Sequence, residues 1–337
     1  MATISLRSGN AARLRVRGAL GWTAGMMRYG IDRVLVLGAD MFPYAVAIGI
    51  ANAAGMVDTL ATKGGRAAQA EARLCFGKSR MGAIRLASQW TSITYRDLVE
   101  VRRASKGRED LSLWEIEEVN AEAAHELLAN RRSAVVATGH FAAGTSLGLV
   151  KLFPEVSASA AVDPIEPFQW RGDVLRRRLA MGMRHELASR LRKGETEKVY
   201  VGQQDVQTAL LARLAEGGTT GAAIAIDIVW ERPGALRLPF AGYLDRPFAK
   251  GAARIARLAQ VPVGVLVAER TGRRSVRLHF GDMIQPPAID DKESDKVVTA
   301  TLVHELERQV GRFRGQYPHP IGWQRRWDAQ SEEWVPF

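Results

Sequence analysis

Among the side chains able to do acid–base chemistry, His140 stands out. It closes the run AVVATGHF (residues 134–141), directly after Gly139. A short β-rich run ending in Gly-His reads as a strand that delivers a side chain at its C-terminal end, where open α/β sheets bind ligands. Neutral imidazole can take a proton from a hydroxyl near neutral pH. Asp227 ends a second such run, AAIAID, and either supports a site there or serves as a capping or turn aspartate. Arg246, Pro247, Lys250 and Gly251 precede the helical pattern GAARIARLA. Backbone N–H groups at that helix start, helped by Lys250, would hold a phosphate or a developing oxyanion. Arg176, Arg177, Arg178 and Arg184 form a dense basic run whose guanidinium groups suit phosphate, or simply face solvent or lipid.

Other chemistries are poorly served. Cys75 is the only cysteine, which excludes an intrachain disulfide and a multi-cysteine zinc site, and its helical apolar context reads as core. The six histidines include no HExxH or paired-His motif, so no metal and no resident cofactor are expected. Lys plus Arg is 47 against 36 acids, a formal charge of +11 with a pI near 10.1. That balance favours an acidic partner: nucleic acid, anionic lipid or an acidic carrier. No zinc finger, RNP pair or helical basic region supports nucleic acid. Hydrophobic residues make up 47% of the 337, which excludes a largely disordered chain.

The elements that must position these groups follow from periodicity. Residues 60–130 read helical, including WEIEEVNAEAAHELLANR with its three–four apolar spacing, interrupted by the polar loop ASKGREDLS. Beyond residue 133, strands (AVVATG, KVYVG, AAIAIDIVW, VPVGVLVAER, RSVRLHFGDMI) alternate with helices (residues 171–194, DVQTALLARLAEGG, GAARIARLAQ, and a terminal helix in SDKVVTATLVHELERQVGRFRGQ). LRLPFAGYLDRPF contains turns. This rhythm predicts an α/β fold, a central mixed sheet flanked by helices, over residues 61–330.

Residues 1–60 read as a membrane-associating region. Arg7, Arg13, Arg15, Arg17, Arg28 and Arg33 mix with bulky apolar residues, and the uncharged stretch Met41–Val57 follows. An interfacial or half-inserted helix, a span and a buried helix all fit that stretch, which is short and Ala/Gly-rich for a span. The apolar run starts too far from Met1 for a cleaved signal peptide. Trp323, Arg325, Arg326 and Trp327 form either a membrane-facing edge or a packed terminus.

The order of segments resembles the lysophospholipid acyltransferase superfamily, in its branch of lipid A lauroyl/myristoyl transferases. Four pieces carry the resemblance: WEIEEVNAEAAHELLANRRSAVVATGHF, LLARLAEGGTTGAAIAIDI, LPFAGYLDRPFAKGAARIARLAQVPVGVLVAER and GQYPHPIGWQRRW. It implies acyl transfer from acyl carrier protein or coenzyme A to a hydroxyl or amine of a lipid-like acceptor, at the cytoplasmic face of a bacterial inner membrane. It implies His140 as general base and Arg178 as a holder of acceptor phosphate. It also places a carboxylate five residues after the histidine, where this chain has Thr145. A threonine hydroxyl orients a ring nitrogen but does not neutralise imidazolium. Either Asp163, Glu166 or Asp227 fills that role through space, or the acceptor or mechanism is altered, or the chain is an inactive relative that acts as an accessory or carrier-binding protein.

Overall fold

The computed structural model describes residues 26, 29–109, 113–130, 132–139, 141, 157–162, 179, 183, 196–200, 205–216, 220–227, 234–317, 325–328 and 333–336. Four helices come first: α1 (residues 29–41), α2 (Tyr44–Ala61), α3 (Lys63–Phe76) and α4 (Arg80–Ser105). Their boundaries follow from local chemistry. Thr62 caps α3 by accepting from the Gly65 amide at 3.0 Å, and Ser79 caps α4 by accepting from Gly82 at 3.2 Å. Gly77, left-handed at φ 58°, ends α3.

The remaining elements are β1 (Glu115–Val119), α5 (Glu122–Ala129), β2 (Ala134–Thr138), β3 (Ser157–Val162), β4 (Thr196–Tyr200), α6 (Val206–Ala215), β5 (Thr220–Ala225), β6 (Leu236–Phe240), β7 (Tyr243–Phe248), α7 (Gly251–Ala259), β8 (Val263–Arg270), β9 (Ser275–Phe280) and α8 (Ser294–Arg312). A short hairpin, β10 (Arg325–Asp328) with β11 (Glu333–Pro336), follows. Seven strands form one sheet in the order β1-β9-β8-β2-β5-β3-β4. Five run parallel, from β8 to β4; β9 is antiparallel to β8, and β1 runs parallel to β9. The sheet is therefore mixed and flanked by helices, as the strand–helix rhythm implies.

Its two faces are covered by different parts of the chain. Val135, Ala137, Val265 and Val267 face the buried residues of α6, α7 and α8, including Leu210, Ile255, Leu302 and Leu306. Leu266, Ala268, Val276 and Leu278 face Val36 of α1, Val101 and Ala104 of α4, and Trp114. Val263–Ala268 of β8 is buried at every position, as expected of a strand covered on both faces.

Helices α2 and α4 cross closely. A Cβ on Gly55 would lie 2.5 Å from the Ser92 Cα, so only glycine permits this approach. The Thr59 and Thr91 hydroxyls meet at 2.6 Å across the crossing, and Thr91 donates to the Gly55 carbonyl at 2.8 Å. The bundle is fastened to the sheet by Arg270 at the end of β8, which donates to both Glu100 oxygens at 2.6 and 2.7 Å. Tyr44 of α2 donates to the same carboxylate at 2.7 Å.

One segment differs from the sequence reading, and a second is more regular than that reading stated. EIEEV is not helical; it is the edge strand β1, and α5 begins only at Glu122. Its three glutamates favour a helix by propensity, but pairing with β9 along its whole length outweighs that preference. LRLPFAGYLDRPF, expected to contain turns, is the β6–β7 hairpin, and its turn is made by Ala241 and Gly242, both with positive φ. Two residues in that conformation match the twist of paired strands.

Candidate functional site

Strands β2 and β5 lie side by side and in parallel, with Thr138 paired to Ala225. Beyond that pair one strand continues into Gly139 and His140, the other into Ile226 and Asp227. His140 lies outside the described residues, as do Thr145 and Arg178, and Asp163 and Glu166 with them. The residues on either side of His140 are described, and both rest on one buried pair. A Cβ placed on Gly139 would sit 3.3 Å from Asp227 Oδ2. The ring of Phe141 lies 5.0 Å from that of Tyr317. Tyr317 in turn donates its hydroxyl to Asp227 Oδ2 at 2.8 Å.

Asp227 has no exposed surface, and Tyr317 is almost as deeply buried. Burial drives the Tyr317 pKa well above its ordinary value, with the neighbouring Asp227 charge adding to the effect, so the phenol stays a donor. A buried carboxylate needs such partners.

Arg246 and Lys250 do not form one surface. Arg246 is only 3% exposed; its guanidinium lies 5.0 Å from the Phe240 ring centroid and 5.7 Å from that of Phe248. From this slot it donates to the backbone carbonyl of Asp227. It thus holds the end of β5 in place. Lys250 is half-buried at the N-cap of α7 and makes no side-chain capping bond. Gly251 opens that helix with open space where a Cβ would stand.

Two further residues join the network. Glu71 of α3 is buried, and Tyr243 of β7 donates its hydroxyl to it. Burial raises the Glu71 pKa to about 7, against the smaller opposing effects of the Tyr243 hydrogen bond and the Arg246 charge. Burial likewise raises the pKa of Tyr243 and of half-buried Cys75, each with Glu71 adding to it. The hairpin reaches α3 because Gly242, at φ 88°, packs on the Cys75 backbone, where a Cβ would lie 2.3 Å from the carbonyl oxygen. Cys75 therefore sits at this packing contact. No group of three or more metal-ligating side chains converges among the described residues.

Sequence reasoning picked out Asp227 and Arg246 but not Tyr317, Glu71 or Tyr243. Tyr317 sits inside the segment GQYPHPIGWQRRW with nothing local to mark it. Glu71 is the one acid of α3, and only its complete burial shows that it is not a surface charge.

No family model matches the chain, and no curated protein matches it. Among solved structures, the chain is similar to the 1-acyl-sn-glycerophosphate (LPA) acyltransferase PlsC from Thermotoga maritima, with 12% identity and a TM-score of 0.35, over 79% of this chain and 98% of that one. An overlap so loose does not establish a shared fold.

Proposed function

We propose that the protein is an acyltransferase working at the cytoplasmic face of a bacterial inner membrane, with His140 as general base and Asp227 as the carboxylate that orients it. The observation that carries this reading is the buried Asp227–Tyr317 pair, on which both chain neighbours of His140 rest. A carboxylate from β5 takes the part that Thr145 cannot play. The donor is an acyl thioester of acyl carrier protein or coenzyme A, and the acceptor a hydroxyl or amine on a lipid-like molecule. In the hydroxyl case the acceptor oxygen attacks the thioester carbonyl, its proton moves to His140, the C–O bond forms, and the C–S bond breaks. The imidazolium then returns the proton to the departing thiolate, with no acyl-enzyme needed. Asp227 stabilises the imidazolium while Tyr317 and Arg246 hold Asp227. Arg178, Lys250 and Gly251 remain proposed contacts to phosphate or to the thioester oxygen.

Membrane placement draws on α1 and α2. Val34, Leu37 and Met41 of α1 and Val46, Ile50 and Val57 of α2 are exposed apolar residues. Helix α2 is long and apolar enough to cross a membrane by length and composition, yet a third of it is buried against the protein. A half-inserted helix fits both facts, and the basic flank before it belongs on the cytoplasmic side.

The test is steady-state acyl transfer with matched thioester donors by folded variants. His140→Ala should lower kcat by about 10²- to 10⁴-fold. Asp227→Asn should lower it nearly as far, and Thr145→Ala much less. A His140→Ala protein that turns over like wild type refutes the mechanism and favours the second reading, a non-catalytic accessory protein, for which Thr145 speaks.

A further inference from the structure

An open groove of about 1100 Å³ runs between α2, α4 and the chain just after α8. Its walls follow from helical spacing. Asn52, Met56 and Leu60 stand four residues apart on α2, and Met81, Arg85 and Arg96 share the facing side of α4. Arg312, Phe313 and Arg314 close the third side. Met56, Leu60 and Met81 are each more than half exposed, an unusual outlay of large apolar side chains around one hollow. Leu60 stands one turn from exposed Val57, which shares a stripe of α2 with exposed Val46 and Ile50, so the apolar side of the groove borders that exposed stripe.

Charge settles what such a groove would hold. Lys78, Arg85 and Arg96 line it and form no ion pair with a described carboxylate, whereas Arg312, also on its wall, stacks over Phe313 and feels the charge of Glu305. Of its acids, Glu100 is engaged by Arg270 and Tyr44, and Glu269 by Arg277 and His279. Asp97 also lines it and is engaged in an interaction of its own. Uncommitted cations beside an apolar floor match an anionic amphiphile: phosphate on the guanidinium groups, acyl chains along Met56 and Leu60.

We propose that this groove binds the headgroup of an anionic phospholipid and thereby orients the protein on its membrane. The site is separate from the Asp227 cluster. The inference rests on the membrane-surface part of the function proposed above and not on the transfer chemistry.

Vesicle co-sedimentation of the full-length protein tests it, comparing neutral phosphatidylcholine vesicles with vesicles holding a third phosphatidylglycerol. Wild type should bind both and prefer the anionic ones. Arg85→Gln with Arg96→Gln should lower partitioning onto the anionic vesicles by roughly 25-fold, since each basic group near an anionic surface contributes about a fivefold factor. Binding to neutral vesicles should be unchanged. The charge-matched control replaces the exposed Arg132 and Lys292, which lie away from the groove, with Gln; it should retain most of the preference. Equal loss in the control, or none in the groove variant, overturns the site while leaving membrane association intact. A wild type that binds neither vesicle overturns both. Circular dichroism and thermal unfolding establish that each variant is folded, and Arg85→Lys with Arg96→Lys should restore most of the binding.

Discussion

Replacing Glu71 with glutamine should change how stability depends on pH. The Glu71 carboxyl is packed among Tyr243, Cys75 and Arg246, and burial raises its pKa from the ordinary 4.5 to about 7. Each tenfold change in proton affinity corresponds to about 1.4 kcal/mol, so the ionised form destabilises the fold by about 3 kcal/mol. The sign follows from proton counting. Between pH 4.5 and 7 the folded protein retains a proton that the unfolded chain has released, so stability falls as pH rises through that window. Below it both states are protonated; above it both are ionised, and the full penalty is present. Glu71→Gln keeps an acceptor for the Tyr243 hydroxyl and removes the titration. Urea unfolding across this range should show wild type losing about 3 kcal/mol more than the variant as pH rises. At the acidic end the variant should be no more stable than wild type, because its amide N–H₂ takes the place of a carboxyl oxygen that has no hydrogen-bond partner. Parallel pH profiles for the two proteins would refute a Glu71 held neutral by burial.

Three other outcomes are expected. Gly55→Ala should force α2 away from α4, because the added methyl meets the Ser92 backbone at 2.5 Å; a loss of about 1–3 kcal/mol in thermal unfolding is anticipated for such overpacking. Arg270→Ala should cost about 3–5 kcal/mol, since it strips the buried Glu100 of its cation, and urea titration measures it. Turnover with an acyl carrier protein donor should fall as salt rises, because the basic surface speeds encounter with an acidic partner; turnover indifferent to salt up to near-molar concentration would assign the charge another purpose.

Much of the architecture was legible in the sequence. The runs AVVAT, AAIA and VGVLVAER read as strands because short apolar runs suit a covered sheet, and β8 is indeed buried at every position from Val263 to Ala268. Local chemistry also marks α6, α7 and α8, which the structure places at Val206–Ala215, Gly251–Ala259 and Ser294–Arg312. Asp227 was visible as an acid closing an apolar strand. The segments read wrongly or only in part were those where the local signal opposed or did not announce the partner. EIEEV carries helix-forming glutamates yet completes an edge with β9, and the Ala241–Gly242 turn lacks the asparagine or aspartate that usually announces a tight hairpin.

Tertiary structure alone decided what surrounds the strand ends. Tyr317 reaches Asp227 across 90 residues of chain, and Tyr243 reaches Glu71 across 172. Neither pairing leaves a periodic trace, because periodicity records which face of an element is buried and not which distant element buries it. The same holds for Glu71 itself: one acid in an amphipathic helix looks like a solvated charge until the β6–β7 hairpin folds over it. The amino-acid sequence by itself marked β2, β4, β5, β8 and β9, the helices α6, α7 and α8, and the carboxylate at the end of β5. Packing of the β6–β7 hairpin and the segment after α8 around that end decided that the carboxylate is buried, that a phenol donates to it while an arginine holds its backbone carbonyl, and that it is set beside the strand that leads into His140.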